Sequence, residues 1–174
     1  MEARRTEARA QNPQAPLALR DQFLKTIILP PRSVVASYNA RGSEMNPAPL
    51  AEALRDLGHW TAFPVMIGRD KPLVFRLHGR GEPFVANAIG IGEPPETAAP
   101  ADPDVLLVPL LAFDRRGGWL GAGGGYYDRT LEDLRNRKKV LAIGIGFAGQ
   151  ELATVPAAPH DAVLDRIVTE IQSF

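Results

Sequence analysis

The residues best suited to chemistry lie in one stretch, Phe113-Asp114-Arg115-Arg116-Gly117-Gly118-Trp119-Leu120-Gly121-Ala122-Gly123-Gly124-Gly125-Tyr126-Tyr127-Asp128-Arg129. Six of the nine residues from 117 to 125 are glycine. Glycine lets main-chain N–H groups approach an anion with no side chain in the way. A helix start adds N–H groups without intrahelical partners and a partial positive charge. A glycine loop that feeds a helix is therefore a phosphate cradle in kind. Asp128, in the first helical turn, is the right group in the right place to hold a magnesium ion bridging such phosphates.

Two common nucleotide patterns are absent. The dinucleotide fingerprint needs glycine at the sixth position counted from Gly121, and that position is Tyr126; the P-loop needs Gly-Lys-Ser/Thr after its glycines. Spacing alone thus leaves two readings open, a phosphate cradle and a flexible connection. The same holds for single residues. Asp128 also suits a helix N-terminus with no metal. Glu44 also reads as a solvated loop acid, and Tyr126 and Tyr127 as core aromatics. His160 reads as a surface histidine, since lone histidines make thin metal sites.

The elements that must position these groups follow from pattern. Residues 1–10 are rich in helix formers, and Asn12 to Pro16 interrupts them. Leu17 to Ile28 reads as an amphipathic helix stopped by Pro30-Pro31. Ser33 to Tyr38 is a short buried strand. Pro49 to Leu57 is a second helix, closed by Gly58. Thr61 to Ile67 and Pro72 to Leu77 read as strands joined by the turn Gly68 to Lys71. The proline-rich run 90–104 reads as a surface loop. Val105 to Leu111 is the most apolar run and fits a central strand buried on both faces. Tyr127 to Arg137 is a helix with Leu131 and Leu134 on one side, and Val140 to Phe147 another buried strand. Strand, glycine loop, helix, strand is the order of a parallel crossover unit.

Bulk properties bound the function class. With 174 residues, 45% of them hydrophobic, the chain suits one domain over 1–174, with 1–16 a candidate mobile N-terminal segment. Twenty Lys plus Arg balance twenty Asp plus Glu, which argues against a nucleic-acid partner. No apolar run reaches the length of a membrane span, and the charged N-terminus lacks the core of a secretory signal. There is no cysteine, which removes disulfides, thiolate nucleophiles and cysteine zinc sites and fits a cytoplasmic protein.

The string Gly121-x-Gly123-x-Gly125-Tyr126-Tyr127-Asp128-Arg129, after Pro109 to Asp114, closely resembles the signature of 5-formyltetrahydrofolate cyclo-ligases, also called methenyltetrahydrofolate synthetases. Tyr38, Ser43-Glu44 and Pro47 to Leu50 resemble that family's substrate-side segment. Pro72 to Arg76 and Gly90 to Pro94 resemble its middle, and Gly144, Gln150, Pro156, His160-Asp161, Asp165 and Thr169-Glu170 its C-terminal stretch.

The resemblance implies a three-layer α/β/α fold with a mostly parallel central sheet. It also implies ATP- and Mg2+-dependent closure of 5-formyltetrahydrofolate to 5,10-methenyltetrahydrofolate. Arg5 and Gly121, Ala122, Gly123, Gly124, Gly125, Tyr126, Tyr127 and Asp128 would meet ATP. Tyr38, Glu44 and Tyr126 would meet the reduced folate, Tyr126 and Arg129 would be catalytic, and Asp128 and Asp161 would hold the metal. The implied assembly is a monomer or homodimer, with no membrane or nucleic-acid partner.

Three departures from the family pattern stand out. Trp119 occupies a position that is usually arginine, with Arg115, Arg116 and Arg129 as candidate replacements. If Arg5 matches the family's N-terminal arginine, its companion lysine falls on Met1. Ala158 replaces a common glutamate. These changes make a folate- or nucleotide-binding paralogue with weak or no activity the alternative reading.

Overall fold

A computed structural model describes residues 1–156 and 162–174. The chain runs through α1 (Glu2–Gln11), α2 (Ala15–Thr26), β1 (Val34–Ala36), α3 (Ala48–Asp56), β2 (Trp60–Val65), β3 (Val74–Leu77), β4 (Val85–Ala86), β5 (Gly92–Glu93), β6 (Pro100–Ala101), β7 (Val105–Pro109), β8 (Ala112–Phe113), β9 (Trp119–Leu120), α4 (Tyr126–Arg137), β10 (Leu141–Ile145), a 3₁₀ turn (Ala148–Gln150) and β11 (Arg166–Val168).

Local chemistry explains the boundaries. Pro16 and Pro49 sit in the first turns of α2 and α3, where a missing N–H costs nothing. Gly58, at φ +86°, closes α3. Its N–H reaches Arg55 O at 2.9 Å and the His59 N–H reaches Leu54 O at 3.0 Å, a Schellman cap as the sequence implies. The Gly68 to Lys71 turn joins β2 to β3 as an antiparallel pair.

Seven strands form one sheet in the order β11-β10-β7-β1-β2-β3-β6. The five from β11 to β2 are parallel; β3 and β6 add an antiparallel edge. Side chains of β7 alternate between two cores. Val105 and Leu107 pack with Leu19 and Phe23 of α2 and Leu50 and Leu54 of α3. Leu106 and Val108 pack with Leu131 and Leu134 of α4. Helices thus cover both faces, which is the expected three-layer α/β/α architecture.

The proline-rich run 90–104 is not all loop. It contributes β5, which pairs with β4, and β6, which borders the sheet. Two-residue strands in a proline-rich run leave too little alternation to be read from pattern. The hairpin of β8 and β9 and the edge strand β11 were likewise not among the expected elements.

Candidate functional site

The sheet order sets the place of the site. From β1 the chain crosses through α3 to β2 on one side. From β7 it crosses through α4, on the opposite face, to β10 on the other side. Neighbouring strands whose connections leave in opposite directions open a crevice at their C-terminal ends. A cleft of ≈ 560 Å³ lies there, bounded by Tyr38, Asn39 and Glu44 after β1, Pro109 and Leu110 at the end of β7, and Gly121 to Arg129.

The glycine wall is built from main chain. Gly123 and Gly125 have φ of +87° and +63°, where a Cβ is strained. A Cβ on Gly123 would meet open space, so it is the backbone angle that requires glycine there. Gly125 caps α4 with no side-chain hydrogen bond at the cap. The first-turn N–H groups of Tyr126, Tyr127 and Asp128 therefore rely on partners from outside the helix.

Arg129 braces this wall from within. Its guanidinium donates to Gly124 O at 2.8 Å and lies 5.1 Å from the centre of the Tyr126 ring. Its Nε is buried without a partner among the described residues. Thr130 locks the first turn of α4 to the opposite edge, donating to Tyr126 O at 2.6 Å and accepting the Leu73 N–H at 2.8 Å.

The facing wall is built from side chains. Tyr38 donates to Met45 O at 2.7 Å. Burial pushes its phenol well above the ordinary value, helped by the Glu44 charge. Burial and Glu44 push Tyr127 upward as well. Both phenols therefore stay protonated donors at neutral pH. Glu44 accepts the Arg41 N–H at 2.8 Å and pairs with Arg5 at 3.8 Å. Glu93 accepts from the Met66 N–H at 3.0 Å and the Asn87 amide at 2.7 Å, and Asn39 donates to Gly92 O at 2.8 Å. These bonds fasten the β4–β5 hairpin to the cleft.

Arg5 comes from α1, far away in sequence. It is buried, donating to Ser43 Oγ at 3.0 Å and Leu110 O at 3.3 Å. Gln150 supports the same floor through a 2.6 Å bond to Leu110 O.

The structure therefore gathers Arg5, Tyr38, Glu44, Gly121 to Gly125, Tyr126, Tyr127, Asp128 and Arg129 around one cleft. Asp161 and His160 lie outside the described residues. Arg115 and Arg116 do not replace the arginine absent at 119. They turn away to Glu151 at 2.6 Å and Asp114 at 3.5 Å, because Asp114 organises the β8–β9 turn and draws Arg116 to it. Burial works against the Asp114 charge, but N–H groups of Val155, Arg116 and Gly118 and the Arg116 guanidinium outweigh it and hold its carboxyl below the usual range.

Asn39, Met66 and Glu93 also line the cleft, beyond the expected site residues. The only signal for Glu93 was its place in the Gly90 to Pro94 string. No group of three or more metal-ligating side chains occurs among the described residues, and none of their helices is long and apolar enough to cross a membrane.

The profile of the 5-formyltetrahydrofolate cyclo-ligase family matches residues 1–170. A 5-formyltetrahydrofolate cyclo-ligase of Mycolicibacterium smegmatis is 36% identical over 144 residues, 78% of this chain and 72% of that one. One of Escherichia coli K12 is 33% identical over 141 residues, 78% of this chain and 76% of that one. Among solved structures, the 5,10-methenyltetrahydrofolate synthetase of Aquifex aeolicus superposes with a TM-score of 0.73 at 23% identity, covering 99% of this chain and 90% of that one. That of Mycoplasma pneumoniae superposes at 0.68 and 22%, covering 97% and 98%. A fold and cleft of this kind define an α/β enzyme with its site at a topological switch point. The chain belongs to the 5-formyltetrahydrofolate cyclo-ligase family.

Proposed function

We propose that this chain converts 5-formyltetrahydrofolate and ATP into 5,10-methenyltetrahydrofolate, ADP and phosphate, with Mg2+. The observation that carries the reading is that the glycine run Gly121 to Gly125 and the first turn of α4 line the same cleft as Tyr38 and Glu44. The glycine wall suits an anion, and the side-chain wall suits the N–H groups of a folate. In this reading the formyl oxygen attacks the γ-phosphorus and the bond from that phosphorus to the ADP oxygen breaks. The folate N10 then adds to the formyl carbon and gives up its proton. The bond from the former formyl carbon to the phosphorylated oxygen breaks, releasing phosphate with that oxygen and leaving the N5–C–N10 bridge.

The chain's part is positioning and charge placement. Gly123 to Tyr127 offer N–H groups to phosphate oxygens, and Arg129 keeps the loop in shape. Arg5 places a buried cation beside Glu44 at the cleft floor. Tyr126, which lines the cleft beside Gly124, would lie near the transferred group. Glu44 accepts hydrogen bonds from the folate and orients it. Mg2+ is commonly held by one or two carboxylates plus substrate phosphates, and Asp128, beside the glycine loop in the cleft, suits that role; Asp161, the second carboxylate the resemblance implies, lies outside the described residues. When bound, the ion neutralises phosphate charge.

Mixing the protein with 5-formyltetrahydrofolate and MgATP is expected to raise near-ultraviolet absorbance as methenyl product forms, with one ADP per product. No rise above a protein-free control would overturn the reading. The second reading, a binding paralogue without turnover, draws on Trp119, which puts no cation at the glycine loop. Calorimetric folate binding without ADP formation would favour it.

A further inference from the structure

Trp119 is 8% exposed and does more than fill space. Its Nε1 donates to Ala162 O at 2.6 Å. The N–H of Ala162 in turn donates to Asp128 Oδ1 at 3.3 Å. One residue thus takes a hydrogen bond from the indole and gives one to the carboxylate. The rest of this contact is fixed from both sides. The Leu164 N–H donates to Gly117 O at 3.1 Å, and a Cβ on Gly117 would come within 2.4 Å of Leu164 O. Residues 162–164 are therefore seated on the β8–β9 hairpin. The indole also lies against the glycine loop, since a Cβ on Gly121 would meet its Cζ3 at 2.9 Å.

We propose that Trp119 is a positioning residue that acts through Ala162 to orient the Asp128 carboxylate beside the glycine loop. The proposal rests on the reading that Asp128 serves a metal–nucleotide complex. A rotating carboxylate in the first turn of a helix samples several rotamers. A backbone N–H on one oxygen fixes it, and that N–H is itself held in place by the indole. The neutral indole supplies no charge to the phosphates. Its contribution is geometric and is felt at the cation.

The test is a double-mutant cycle read by binding of Mn2+ with ADP, followed by electron paramagnetic resonance of free Mn2+. Trp119→Phe keeps a ring beneath Gly121 and removes the N–H. Asp128→Asn keeps an acceptor for the Ala162 N–H and removes the charge. Trp119→Phe is expected to weaken Mn2+–ADP binding about fivefold in the unaltered background, on the scale of one hydrogen bond between neutral groups. In the Asp128→Asn background it is expected to weaken binding less than about twofold, because residues acting as a unit are not additive.

Should Trp119→Phe fold poorly, benzothienylalanine at 119 keeps the shape and lacks only the N–H. Equal weakening in both backgrounds, or none in either while Asp128→Asn alone weakens binding, would overturn the Trp119 proposal and leave the metal assignment standing. No effect of Asp128→Asn would overturn both.

Discussion

The two walls of the cleft are made differently. Along Gly121 to Asp128 the reactive groups are main-chain N–H donors at the start of α4, with no side-chain cap at Gly125. Across from it, Tyr38, Asn39, Glu44 and Glu93 present side chains, and each already holds a backbone partner. Under the proposed function the first wall would recognise by conformation, so adding a Cβ should harm it, and the second by functional group, so removing a charge should harm it. Such a cleft would separate its two ligands: an anion at the backbone wall and a hydrogen-bonding ring system at the side-chain wall.

Mutations can break that division one wall at a time. Asp128→Ala is expected to lower kcat by on the order of 10²–10³, the loss typical of one well-placed electrostatic group; steady-state assay with MgATP in excess checks it. Glu44→Gln is expected to raise the folate KM by about 10–100-fold, the equivalent of one charged hydrogen bond. The ATP KM should move less, and equal effects on both would blur the two walls. Gly123→Ala is expected to weaken ATP by about 5–30-fold, from the strain of an L-residue in the left-handed region. Folate affinity, by calorimetry, should hold.

The smallest effect concerns His78, which follows β3 and is buried. It stacks on Phe84 with ring centres 3.8 Å apart, and neither ring nitrogen has a hydrogen-bond partner among the described residues. Burial pushes its pKa down, with Arg55 adding to this and Glu82 opposing. The unfolded chain therefore binds the proton more readily. The stability of the neutral form is fully present above about pH 6.5 and is lost as pH falls toward the folded value. Thermal melts of His78→Phe should show a shallower decline between about pH 7.5 and 5.5; parallel curves would contradict this.

Much of this was legible in the sequence where the signal is local. Val105 to Leu111 marks a strand buried on both faces, Gly58 marks a helix end, and the glycine run marks the start of α4. The placement of Glu44 and Tyr38 near that run came through the family resemblance.

What could not be read is non-local or very short. Arg5 meets Ser43 and Leu110 across 38 and 105 positions of chain, and no periodicity encodes that. The hairpin of β8 and β9 has two residues per strand, too few for alternation to show. Trp119 reads in the sequence as a missing cation; only the 162–164 segment, folded back onto the hairpin, reveals what its N–H holds.

Under the proposed function, main-chain amides from Gly123 to Tyr127 grip phosphate. A titration of isotope-labelled protein with MgADP, followed by amide NMR shifts, would show that grip residue by residue. The amides of Gly123, Gly124, Gly125 and Tyr126 are expected to move most, and together. Saturable binding that leaves those four amides in place, with the largest shifts elsewhere on the sheet, would contradict it.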